Sequence, residues 1–176
     1  GNQIWIATPD ITIRSASGSP ESVIINGDYT TTEIITIAAS NITIAELTLK
    51  KAYTHPIHVI PSRNGDTSRT FIYRVNIEDP REQAIKINPV NGKYADNGTI
   101  ACSHIKLTDS GRSNVNPTIT GTGCYTGGID EHDAQNWTVR DNLIEGFWCE
   151  NGLSEHAIHF WTGSRGTIVE RNIIKD

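Results

Sequence analysis

Methionine is absent from the chain, cysteine occurs only three times, and no apolar run reaches the length of a membrane span. A helical transmembrane segment needs about eighteen or more consecutive apolar residues, so none is expected. The cysteines (Cys102, Cys124 and Cys149) lack CxxC spacing, which argues against a structural zinc site and against a disulfide framework. One bridge with one buried thiol, or three free thiols, both remain open; if a pair is bridged, it is Cys124 with Cys149. The chain opens Gly1-Asn2-Gln3-Ile4 with no basic start and no secretory leader, and the missing methionine points to a segment excised from something longer. Excess positive charge is lacking too. Fifteen Lys and Arg stand against twenty Asp and Glu, a net charge of −5 with a pI near 5.6. That balance argues against nucleic acid or an anionic membrane as partner. It leaves room for an acidic polysaccharide held by a local cationic site. Helical periodicity is the last absence.

What is present is a succession of short β-branched runs broken by Gly, Asn, Asp, Ser and Pro, such as Ile4-Trp5-Ile6, Ile11-Thr12-Ile13 and Val23-Ile24-Ile25. From Ile34 onward the pattern repeats. Five alternating segments align: Ile35-Thr36-Ile37-Ala38, Ile57-His58-Val59-Ile60, Ile85-Lys86-Ile87-Asn88, Ile129-Asp130-Glu131-His132 and Ile158-His159-Phe160-Trp161. Their first isoleucines are 22, 28, 44 and 29 residues apart, the 44 reflecting an inserted loop at about 109–127. Each is followed by a second segment (41–49, 70–77, 99–107, 136–144, 166–174), and the last two superpose with a shift of thirty residues. A two-part unit repeating in constant order implies stacked coils rather than an antiparallel sandwich. The fold expected is all-β: a single domain, 1–176, forming a parallel β-helix solenoid of about six coils, a fragment of a longer helix. Its open C-terminal coil is a candidate for end-to-end self-association. Asn142 and Asn172 would pair as a short amide ladder, with Leu47, Val75 and Ile105 at that place in earlier coils. Cys102 is placed beside Ile44 and Val139 in the core, buried and inert.

With the isoleucines inward, the next residue of each strand faces out. One outward column reads Thr36, His58, Lys86, Asp130, His159; a second reads Ala38, Ile60, Asn88, His132, Trp161. Column neighbours would be ~4.8 Å apart. Histidine suits proton transfer near neutral pH, and the Trp161 ring could stack on a sugar or cover core. Glu131 occupies an inward slot held elsewhere by Ile37, Val59, Ile87 and Phe160. Either the strand bulges and turns it outward, or it is buried with a raised pKa. His55 and His156 precede strands and read as turn residues. His104 lies away from the columns and reads as structural. The sequons at Asn41, Asn97 and Asn136 arise readily by chance in Asn- and Thr-rich repeats.

The whole pattern resembles a right-handed parallel β-helix of the pectate-lyase-like superfamily, whose members are mainly secreted or surface carbohydrate-active proteins. The segment Gly128-Ile129-Asp130-Glu131-His132-Asp133 resembles the Asp-Pro-His motif of mannuronan C5-epimerases. Asp130 and His132 match it, Lys86 matches by column, and Glu131 replaces the proline. The family's tyrosine would fall on Gly127. The resemblance implies removal of the C5 proton of a uronate. Lys86 would offset the carboxylate charge, and His132 or His159 would act as base. Return of a proton gives epimerisation, loss of the C4 oxygen gives β-elimination, and both stay open. Catalytic candidates are therefore Lys86, Asp130, His132 and His159; substrate-binding candidates are His58, Asn88, Glu131 and Trp161. The alternative from another class is a non-catalytic glycan-binding or surface module. Glycoside hydrolysis would want a second outward carboxylate. A transition-metal site could draw on Asp130, His132, His159 and His58. No cofactor is required; calcium is possible, with Asp130, Asp133 and Glu155 as candidates.

Overall fold

The computed structural model describes residues 2–117, 124–149 and 156–176. Three sheets of six parallel strands each run along one solenoid. The first contains Ile4–Ile6, Ile35–Ile37, Ile57–Val59, Gln83–Ile87, Gly127–Glu131 and Ile158–Phe160. The second contains Thr12–Arg14, Thr43–Ala45, Phe71–Tyr73, Thr99–Ala101, Thr138–Arg140 and Ile168–Glu170. The third contains Ile24–Asn26, Thr48–Lys50, Asn76–Glu78, His104–Lys106, Leu143–Glu145 and Ile173–Lys175. This is the stacked, parallel arrangement of a β-helix. Ile35, Ile57, Ile85 and Ile129 pair in one register and are fully buried, forming a stack inside the first sheet. Each such side chain contributes about 1.5–3 kcal/mol by leaving water. No helix among the described residues is long and apolar enough to cross a membrane.

Three sheets, rather than two segments per coil, correct the sequence reading. Each "second segment" is two strands separated by a residue with positive φ: Glu46, Arg74, Cys102, Asp141 and Arg171, at 50–58°. None is glycine, so each bears a left-handed cost of roughly 1–2 kcal/mol. Stacking offsets it. The amide N–H of Glu46 donates to Tyr73 O (3.0 Å), that of Arg74 to Ala101 O (3.1 Å), and that of Asp141 to Glu170 O (3.2 Å). These corners are thus held by the coil above, as is Cys102, whose amide N–H donates to Arg140 O (3.3 Å).

The same corner overturns the reading of Cys102. Ile100, not Cys102, pairs with Val139, and Cys102 is an exposed free thiol on the turn. The ladder shifts as well. Ser103, not Ile105, occupies the place of Asn142. The Ser103 amide donates to Asn142 Oδ1 (3.0 Å), Asn142 Nδ2 donates to Asn172 Oδ1 (2.9 Å), and the Val75 amide donates to Ser103 Oγ (3.1 Å). Hydrogen bonds thus link four coils at this buried corner.

Trp137 is fully buried, its indole N–H donating to Ala95 O at 2.9 Å. A Cβ at Gly98 would come within 2.3 Å of that ring, so only glycine fits beneath it. Within 109–127, Asp109–Arg112 form one helical turn, capped by the Thr108 hydroxyl; residues 118–123 lie outside the described residues. Cys124 and Cys149 are bridged, with Cα atoms 6.1 Å apart.

Candidate acid–base site on the first sheet

The register of the first sheet places Trp5, Thr36, His58, Lys86, Asp130 and His159 on successive strands, side by side. Lys86 and Asp130 form a buried ion pair, with side chains 7% and 3% exposed. His132 joins them. Its Nε2 lies 3.1 Å from the Lys86 ammonium and 3.1 Å from both Asp130 oxygens. One tautomer cannot serve both neighbours, because Nε2 must carry a lone pair for Lys86 and a proton for Asp130. Burial pulls the His132 pKa below the usual imidazole value, with Lys86 repelling its charged form and Asp130 opposing the shift. His159 completes the cluster: its Nδ1 is 3.1 Å from Asp130 Oδ1, yet the pair is not aligned for hydrogen bonding, and both atoms are buried without such a partner. The four catalytic candidates therefore meet around Asp130.

Glu131 points inward, in register with Ile87 and Phe160, and is fully buried. Of the two outcomes open in the sequence, burial without a bulge is the one found. The Thr167 hydroxyl donates to Oε1 at 3.0 Å, while Oε2 has no hydrogen bond. Burial pushes its carboxyl up to about 7, against the lowering effect of Thr167. Glu131 is thus separated from the outward wall by its own backbone and cannot touch a ligand lying there.

One strand below Lys86, His58 is held by Glu33, a residue that sequence reasoning missed. His58 Nδ1 lies 2.6 Å from Glu33 Oε1, and His58 Nε2 lies 3.2 Å from Asn88 Oδ1. Gln3 Nε2 donates to Glu33 Oε2 at 2.8 Å, and the Thr36 hydroxyl donates to the same oxygen. Burial alone would raise the Glu33 pKa; the hydrogen bond and charge of His58 outweigh it and hold the carboxyl below its ordinary value. His55 precedes its strand, as read from the sequence. It is buried, with Nδ1 3.0 Å from Gln83 O and its ring centroid 5.4 Å from that of His58. Burial, followed by the charge of His58, lowers it to about 4, so it stays neutral. His156 stacks on His159 at 4.5 Å. His104 lies on the third sheet beside Glu145, 2.6 Å away.

Trp161, 55% exposed, stacks on His132 (6.0 Å) and meets His159 edge-on (5.0 Å). Trp5, 57% exposed, stands at the opposite end of the wall. Between the turns and the lower strands runs an open groove of about 780 Å³, lined by Trp5, Ala38, Ile60, Arg63, Asp66 and Lys93. It continues the column that carries Asn88 and His132.

Asp130, His132 and His159 each offer one ligand atom, all within 4.8 Å of one another. The donor set suits zinc or a similar ion. The Lys86 ammonium bonded to the same carboxylate opposes a dication there by like-charge repulsion. His58 is not in that group. Of the calcium candidates, Glu155 lies outside the described residues. No family profile, curated protein or solved structure matches this chain.

Proposed function

We propose that the chain is a right-handed, pectate-lyase-like β-helix that acts on an acidic polysaccharide by abstracting the proton at C5 of a uronate. One observation carries the reading: a buried ammonium, a carboxylate and two imidazoles meet on the outward face of the first sheet. A proton next to a carboxylate is removable once that carboxylate's charge is offset, and Lys86 is the cation available. Asp130 faces Nδ1 of His159, which leaves Nε2 of that ring for the base; apo geometries of this kind commonly tighten on substrate binding. Neutral His132 accepts from Lys86 and keeps the ammonium aimed at the wall. Trp161 offers an apolar face for stacking a sugar ring. Asn88 and His58 extend the polar surface under the same chain.

Incubation with alginate and polygalacturonate tests this. Elimination generates a conjugated uronate seen by ultraviolet absorbance, and epimerisation incorporates deuterium at C5 from heavy water. Neither signal with any polyuronate would sink the enzymatic reading. Retained binding would then favour the alternative, a glycan-binding module, whose supporting observation is the exposed Trp5 and Trp161 at the two ends of the wall.

A further inference from the structure

Acid–base chemistry at C5 needs two proton transfers, and the Asp130 cluster accounts for one. In elimination the second proton goes to the departing C4 oxygen; in epimerisation it returns to C5 from the opposite side. We propose that Glu33 and His58 form the second proton-transfer pair, with His58 delivering its Nε2 proton to the C4 oxygen. The reaction is thereby a β-elimination. This rests on the reading of a polyuronate substrate above.

The geometry has three parts. First, the register puts His58 and Asp130 on the two strands flanking Lys86, ~4.8 Å to either side. A sugar whose carboxylate meets Lys86 therefore has His58 on one side and, beyond Asp130, the His159 base on the other, three strands from His58. Second, His58 is built as a proton donor. Glu33 accepts from Nδ1 at 2.6 Å, stays ionised beneath Gln3 and Thr36, and so favours a proton on Nδ1 in both charge states. That leaves Nε2 as the atom that gains and loses the mobile proton. Third, Asn88 tolerates both states. Its Oδ1, 3.2 Å from Nε2, accepts from the imidazolium, and a turn of the amide presents Nδ2 to the neutral ring. The neighbouring His55 is buried and neutral, and its interaction with Glu33 is the smallest of the influences on that carboxyl, behind the hydrogen bond and charge of His58.

Both acid–base groups project from one sheet and reach the sugar from one side. Inversion at C5 requires opposite sides; elimination does not. In the step itself, the base takes the C5 proton and that electron pair forms the C4–C5 double bond. The C4–O bond breaks, and its oxygen takes the His58 proton. One chain end is left unsaturated and the other bears a hydroxyl. Solvent then reprotonates His58 and deprotonates the base.

His58→Gln and Glu33→Gln are compared with wild type on an oligouronate and on an analogue bearing an aryloxide leaving group at C4, which needs no acid. For His58→Gln, cleavage of the oligouronate is expected to fall about 10²–10³-fold. Cleavage of the aryloxide and C5 exchange in heavy water should stay within a few-fold. Glu33→Gln should fall less, with the same pattern. Wild-type rates of oligouronate cleavage in His58→Gln, or equal losses on both substrates, would overturn the proposal while leaving the C5 chemistry intact. Independently of turnover, the imidazole nitrogen spectrum of His58 should show a proton on Nδ1; residence on Nε2 alone would also overturn it. A wild type inert toward every polyuronate removes the reaction itself, and His58's role with it.

Discussion

Two columns of charge run up this solenoid, and they are built differently. On the third sheet Lys50, Glu78, Lys106, Glu145 and Lys175 follow one another in register. Each carboxylate there has a basic side chain on both sides: Glu78 is 2.9 Å from Lys50 and 2.9 Å from Lys106, and Glu145 is 2.8 Å from Lys175 and 2.6 Å from His104. Signs alternate, lone pairs are used, and the side chains reach water. On the first sheet Lys86 and Asp130 are buried, imidazoles crowd one carboxylate, and Asp130 Oδ1 and His159 Nδ1 lack hydrogen bonds. The first ladder is saturated, whereas the second holds unmet hydrogen-bonding capacity at Asp130 and His159. Unsatisfied polar atoms are costly where water is excluded, so the pair left on this wall distinguishes it from the paired charges of the third sheet.

The contrast is broken most forcefully at Lys86. Lys86→Ala strands the Asp130 charge and should cost about 3–5 kcal/mol of stability in urea titrations, with turnover down at least about a hundredfold. Lys106→Ala removes an equivalent ion pair from the exposed ladder and should leave turnover unchanged. Similar stability losses in the two variants would erase the distinction.

Glu131 provides the next test. Its carboxyl titrates at about 7 when folded and near 4.5 when unfolded, so between these values the folded chain holds the extra proton. Stability therefore falls as pH rises through that window, by about 3 kcal/mol in all, at about 1.4 kcal/mol per unit. Glu131→Gln should flatten the dependence and exceed wild type at pH above the window. A pH-independent wild type would show that the carboxylate finds a partner.

Turnover should respond to His132. Its depressed pKa keeps it neutral to lower pH than an ordinary imidazole, so the acid limb of the rate profile should fall below about 6.5, losing about tenfold per unit beneath the midpoint. An acid limb above that value would mean that a group other than His132 sets it.

Much of this wall is readable from the sequence, because period-two alternation with isoleucine at fixed places sets a register. Lys86, Asp130 and His159 become neighbours by counting alone. The three-sided cross-section is not readable. Its corners at Glu46, Arg74, Cys102, Asp141 and Arg171 carry no glycine, and the first four are held in their left-handed conformation by the adjacent coil rather than by local preference. That error moved Cys102 inward and put Ile105 in the place of Ser103. Glu33 escaped for a related reason. It lies two residues before its strand, in a column with His55, Gln83, Gly127 and His156 that ordinary alternation does not extend to; only the Gln83–Gly127 pairing in the structure reveals it. Trp5 escaped because the regular pattern becomes visible only from Ile34.

The smallest effect belongs to Glu78. Its carboxyl is held below the ordinary value: burial would raise it, but hydrogen bonds from Lys50 and Lys106 prevail. A depressed carboxylate contributes stability that is present above the unfolded value, near 4.5, and lost as pH falls through the folded one, the opposite sign to Glu131. Both flanking lysines are partly exposed, at 29% and 35%, so the net contribution should be no more than about 1 kcal/mol. Glu78→Gln should lower stability by that amount in dilute buffer. The loss should shrink in about 1 M salt, where the Debye length is only about 3 Å. The Lys86–Asp130 pair, shielded from ions, should keep its full effect in the same salt. The two ladders would then differ in salt response because only one of them is open to solvent.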